Sequence, residues 1–167
     1  MLFSSLIFLY AFLPCTLLAY FLTPRRGKNP VLLLASLLFY AFSGLWYVLL
    51  LLFSVFCNYL AGLFVSGRKS VLCTAVVVNL GILGVFKYLT FLVRTVDQLP
   101  DVAIPVPSII LPVGISFFTF QSMSYVIDLY RRQIEPVRRW IDYLFYLSFF
   151  PQLVAGPIVR ARDFIPQ

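Results

Sequence analysis

Apolar residues in this chain come in long unbroken runs instead of alternating with polar ones. Six segments stand out: Leu2 to Leu22, Pro30 to Phe42, Leu45 to Val65, Val71 to Val93, Ile109 to Tyr130 and Trp140 to Val159. About 20 apolar residues cross a hydrocarbon layer as a helix, and in lipid only a helix or a closed barrel satisfies its own backbone groups. Barrel strands need strict alternation, which these runs lack. The pattern predicts an all-α, polytopic helical membrane protein with about six hydrophobic segments, making one transmembrane region of residues 1–167. The second run is short enough to span only with its neighbours' help or to lie partly in the membrane plane. The sixth is expected to be broken or re-entrant, because Pro151 removes a donor and Gly156 and Pro157 interrupt the helix again. Irregular backbone at membrane depth is tolerated only where it is buried in protein or lines a cavity.

Composition agrees: 62% of the residues are hydrophobic, 11% are charged, and the mean hydropathy is +0.97, far from the balance of a soluble domain. The net charge of +7 is not a nucleic-acid footprint, since the basic residues sit in short clusters between apolar runs and not on one solvated face. The clusters are topology signals. Arg25, Arg26 and Lys28, then Arg68 and Lys69, then Arg131, Arg132, Arg138 and Arg139 mark three cytoplasmic connections by the positive-inside rule. The turn at Ser43 and Gly44, and the stretch from Thr95 to Ser108 with Asp97, Asp101 and several prolines, lack such clusters and are expected outside. The N-terminus is then outside too. With no basic residue before the first apolar run, that run is expected to stay as a membrane span and not to be cleaved as a signal peptide.

Cys15, Cys57 and Cys73 lie in apolar runs without metal-ligand spacing, and the chain has no histidine. No metal site is expected, and the cysteines are expected to be buried as small hydrophobes. Gln121, Ser124, Tyr125 and Asp128 are spaced i, i+3, i+4, i+7, one stripe of a helix. A polar stripe at membrane depth is expected to face the protein interior. For Asp128 a pairing with Arg131 or Arg132 at the interface weighs as much as a pocket role. Gln152 and Arg160, in the broken sixth run, are further candidate pocket groups. Lys87 is read as a snorkelling side chain. Asn58 and Asn79, with Gly62, Gly81 and Gly84 nearby, are read as helix-packing positions.

The motifs "LASLLFYAFSGLWYVLLLLFSVFCNYLAGL", "NLGILGVFKY", "LPVGISFFTFQSMSYVIDLYR" and "LSFFPQLVAGPIVRARDFIPQ" follow one another in this order. Together they resemble the N-terminal part of the membrane-bound O-acyltransferases of the alginate O-acetylation type. The resemblance covers the whole chain. It implies an enzyme of the bacterial inner membrane that takes an acetyl group from a cytoplasmic donor such as acetyl-CoA and passes it across the membrane toward the hydroxyls of an exopolysaccharide. It also implies an extracytoplasmic acetyltransferase as partner, with membrane lipid around the enzyme and no bound cofactor. In that family the hallmark catalytic histidine lies in the C-terminal part. This chain has none, and acyl transfer to a hydroxyl wants a base with pKa near working pH. No catalytic residue is therefore assigned, and the chain by itself is expected to be an inactive N-terminal portion that works with the missing C-terminal part. A small membrane transporter and a non-catalytic membrane subunit are the alternatives, the first favoured by broken helices but lacking the inverted repeat such proteins show.

Overall fold

The computed structural model describes residues 5–96, 111–112, 114–155 and 159–164. Every regular element among them is helical. A π-helical turn, Phe8–Phe12, runs straight into α1, Leu13–Leu22. Pro14 at the junction cannot donate to the preceding turn, and the helix widens there, with the Leu13 N–H reaching the Phe8 carbonyl. A short 3-10 turn, Arg25–Gly27, leads into α2, Lys28–Ala41. The chain then reverses at Gly44, whose φ of 134° lies where a side chain is disfavoured, and continues as α3, Leu45–Phe64. Helix α4, Lys69–Leu83, passes through a second π-helical turn, Gly84–Tyr88, into α5, Leu89–Val96.

Two of these runs, Leu45–Phe64 and Lys69–Val93, are long and apolar enough to cross a membrane. Only 28% and 11% of their apolar windows are buried inside the protein. Trp46, Phe53, Phe56, Val77 and Phe91 point outward, the reverse of a core helix in a soluble domain and the arrangement that lipid would require. Phe8–Leu22 and α2 are apolar but shorter.

Helix α6, Ile115–Tyr130, is the most enclosed element and packs against α3, α4 and α7. It begins after Pro112 and Gly114, so α6 starts at Ile115, inside the fifth apolar run. It ends in a Schellman cap: Gln133 N–H reaches the Asp128 carbonyl at 2.9 Å and Arg132 N–H the Leu129 carbonyl at 3.0 Å. The left-handed position of that cap is held by Arg132, at φ 57°, and not by glycine. Helix α7, Trp140–Ser148, stops at Phe149, and α8, Phe150–Ala155, restarts with Pro151 in its first turn. Proline is tolerated there because the first turn has no intrahelical donor to lose. The Phe150 N–H exposed by the break is taken up by the Ser36 hydroxyl of α2 at 3.3 Å. Helix α9, Ala161–Phe164, is one turn long.

Two corrections concern packing. Gly81 and Gly84 have open space where a Cβ would stand, so they are not close-approach positions. Gly62 is one: a Cβ there would meet Tyr125 Cε1 at 2.8 Å and Leu129 Cδ1 at 3.0 Å, which brings α3 onto α6. Cys15 and Cys73 are exposed and Cys57 is partly so, against the expectation of burial. A thiol on the outer face of an apolar helix needs no protein core when the surroundings are apolar too. The proline-rich stretch with Asp97, Asp101, Pro100, Pro105 and Pro107, and the Gly156–Pro157 pair, lie outside the described residues.

Candidate functional site

The expected stripe on α6 faces inward. Gln121, Tyr125 and Asp128 are buried and Ser124 is half-buried. This follows from the helix period, since positions three and four apart fall on one face, and that face lies between α3 and α7. The Tyr125 ring lies against that of Tyr143 of α7, with centroids 4.5 Å apart and planes tilted by 36°, and its hydroxyl accepts a hydrogen bond from the Val137 backbone N–H at 3.0 Å. The line of tyrosine rings continues from Tyr143 to Tyr146, 6.3 Å away, and from Tyr143 to Tyr59 of α3 at 6.1 Å. The Tyr146 hydroxyl donates to the Val159 carbonyl at 2.9 Å, tying the chain beyond α8 back onto α7.

Several polar groups of α6, α7 and α8 are buried and, among the described residues, unpartnered. Gln121 is 1% exposed, and neither atom of its amide has a hydrogen bond; Gln152, 7% exposed in α8, is in the same condition. Asp128 is 6% exposed with Oδ2 unpartnered, and no ion pair joins it to Arg131 or Arg132 among the described residues. Thr119, Ser122, Tyr143, Ser148 and the Trp140 indole N–H complete the set. Tyr143 faces Ser122, yet neither oxygen has a hydrogen bond of good geometry. A buried polar group without a partner costs ~1 to 3 kcal/mol. Buried polar groups are normally hydrogen-bonded, so a seam of this many on three neighbouring helices suits completion by water, by a ligand or by further protein.

Thr119, Ser122, Tyr143 and Ser148 escaped the reading of the sequence. Helix α6 is buried on both sides of the stripe, so its polar face is wider than an i, i+3, i+4 pattern detects. The other two belong to α7, whose register against α6 is a tertiary fact. Arg160 does not join the seam: it is exposed, and its carbonyl accepts the N–H groups of Asp163 and Phe164 that open α9. Lys87 is exposed in the second π-helical turn, with Nζ 5.5 Å from the Tyr88 ring centroid.

One end of the bundle gathers charge. The Tyr59 hydroxyl donates to the Arg138 carbonyl at 3.0 Å, and a Cβ at Gly67 would stand 3.7 Å from Arg132 Nη2. The basic turn after α3 and the basic connection after α6 therefore share one end, as the alternation of charge required. A hollow of about 470 Å³ there is lined by Arg138, Arg139 and Arg162 together with Glu135 and Asp142. The ion pair of Arg162 with Asp163, at 3.4 Å, is exposed and contributes little to stability. No cluster of three histidine, cysteine or acidic residues occurs among the described residues. Among the described residues the buried groups of the seam are hydroxyls, amides, one indole and one carboxylate.

Comparison with known proteins gives the same direction as the motifs. The whole chain is 38% identical to a protein of Azotobacter vinelandii named "Probable alginate O-acetylase AlgI", covering 36% of its length. It is 38% identical to the Pseudomonas aeruginosa protein of the same name, covering 34%. A "Peptidoglycan O-acetyltransferase" of Helicobacter pylori is 33% identical over the whole chain, which covers 38% of it. The chain thus spans about a third of the length of the curated relatives it matches. No family model and no solved structure matches it.

Proposed function

From the premise that this chain is homologous, end to end, to about a third of the alginate-type O-acetylases, we propose that it is the N-terminal portion of a membrane O-acetyltransferase acting on an extracellular polysaccharide. The observation that carries this is the full-length identity to relatives named as O-acetylases of two different envelope polymers. In this proposal the six apolar segments sit in the bacterial inner membrane with the N-terminus outside, and the end bearing Arg68, Arg132, Arg138 and Arg139 faces the cytoplasm.

The polar seam then supplies one wall of the route along which the acetyl group travels. Its unpartnered amides and hydroxyls suit an ester or thioester carbonyl better than a bare hydrocarbon. Gln121 and Gln152 would offer donors, and Ser124, Tyr125 and Asp128 would line the same wall toward the basic end. Arg160 would belong to the approach and not to the wall. The hollow with Arg138, Arg139 and Arg162 has the charge to meet a phosphate-bearing donor such as acetyl-CoA. The base that takes the hydroxyl proton is supplied by the remainder of the enzyme, so residues 1–167 alone transfer nothing. An extracytoplasmic acetyltransferase is the expected recipient.

The test is an in-frame disruption of the segment encoding this chain in its own genome, followed by measurement of alkali-labile acetate on surface polysaccharide. Loss of the acetyl esters with polymer yield intact is the expected outcome. Unchanged ester content with the protein demonstrably absent would remove the proposal.

A further inference from the structure

Helices α3 and α4 enclose a groove of about 580 Å³ on the outside of the bundle, lined by Ala61, Phe64, Val71, Ala75 and Val78 and closed at its basic end by Arg68. We infer that this groove is a binding site for an anionic phospholipid, with the phosphate at Arg68 and Lys69 and one acyl chain lying between the helices. The inference rests on the membrane reading of the chain and is independent of acetyl transfer.

Three features select this occupant. The floor carries Asn58 and Asn79, but their amides are engaged with each other and with the Ser54 and Ala75 carbonyls. The floor amides therefore have no spare donor for a polar ligand, and the walls are mostly apolar, with Ser70 and Thr74 the hydroxyl-bearing residues of the lining. The mouth has the opposite character: Arg68 and Lys69 are both exposed, and no acidic residue lines the groove. An amphiphile with an anionic head and a hydrocarbon tail matches both ends. Length agrees as well. From Lys69 to Asn79 a helix rises about 15 Å, half of the ~30 Å hydrocarbon core and so the depth of one leaflet. If the basic end is cytoplasmic, it faces the leaflet in which anionic lipids are concentrated.

The experiment uses membranes from cells producing the protein, mixed with phosphatidylglycerol or phosphatidylcholine carrying a photo-crosslinker in the acyl chain. After irradiation the labelled peptides are mapped. The phosphatidylglycerol probe is expected to concentrate on residues 57–79. Labelling there should fall about fivefold for each charge removed in Arg68→Gln and Lys69→Gln. Thr74→Trp, at an exposed groove position, should block it by filling the space. The surface charge variants keep the question decidable if the tryptophan variant fails to accumulate. Equal labelling by both probes, even labelling of α1 and the α3–α4 groove, or an unlabelled groove covered by another protein segment would each overturn the site. Acetyl transfer plays no part in this readout, so it stands or falls apart from the enzymatic proposal.

Discussion

The side-chain amides of Asn58 and Asn79 exchange two hydrogen bonds across α3 and α4, one of 3.1 Å and one of 2.7 Å. Each amide also donates to a carbonyl one turn back in its own helix, so every N–H of the pair is used. Between helices that share an otherwise apolar contact, this reciprocal bond fixes their register.

The pair gives a first prediction. Asn58→Leu leaves the buried Asn79 carbonyl oxygen and one of its N–H groups without a partner and should destabilise the folded protein by ~1 to 3 kcal/mol, with Asn79→Leu behaving alike. The double variant should recover part of that loss, because both partners are then apolar. A double-mutant cycle on thermal unfolding in detergent checks this, and strictly additive losses would show that the two amides are not coupled.

Gly62 is a close approach of α3 to α6. Its substitution by alanine should cost ~1 to 3 kcal/mol through overpacking against Tyr125 and Leu129. Gly84→Ala, where a Cβ meets open space, should be neutral or slightly stabilising. Unfolding midpoints of the two variants, measured side by side, separate the two glycines.

How much of this was legible in the sequence depends on whether a feature is local. The helices follow from unbroken apolar runs, and the inward face of Gln121, Tyr125 and Asp128 follows from their spacing. The break before Pro151 follows from proline chemistry, although it falls at Phe149 because a proline sits comfortably in the first turn of the next helix. What escaped is tertiary. Tyr143 and Ser148 enter the seam only through the packing of α7 on α6, and the Ser36 hydroxyl meets Phe150 across 114 residues. Cys15 and Cys73 are exposed, because an apolar run does not say which side of a helix meets other protein.

Gln121 separates a structural role from a functional one. Its amide is buried without a partner, so Gln121→Met removes a desolvated polar group and should leave the membrane level of the protein unchanged or raised. If the seam lines the acetyl route, the same variant should lower polysaccharide ester content about tenfold, the loss of one donor worth ~1.4 kcal/mol in the rate-limiting step. Full acetylation by a normally accumulating variant would remove Gln121 from the route.

The orientation is open to chemical labelling. In a background with Cys15, Cys57 and Cys73 replaced, a cysteine at Ser66 or Gln133, both at the basic end, should react with an impermeant maleimide only after the membrane is opened. A cysteine at Ser43 should react in intact spheroplasts. The reverse pattern would invert the topology.

Because the chain covers about a third of its relatives and holds no histidine, the proposed acetyl transfer needs a base from elsewhere, and the first measurement to make is the reading frame past the codon for Gln167. An open frame that continues into further apolar segments and places a histidine at membrane depth is the expected result. A stop codon directly after Gln167, in a gene shown to be expressed, would contradict it.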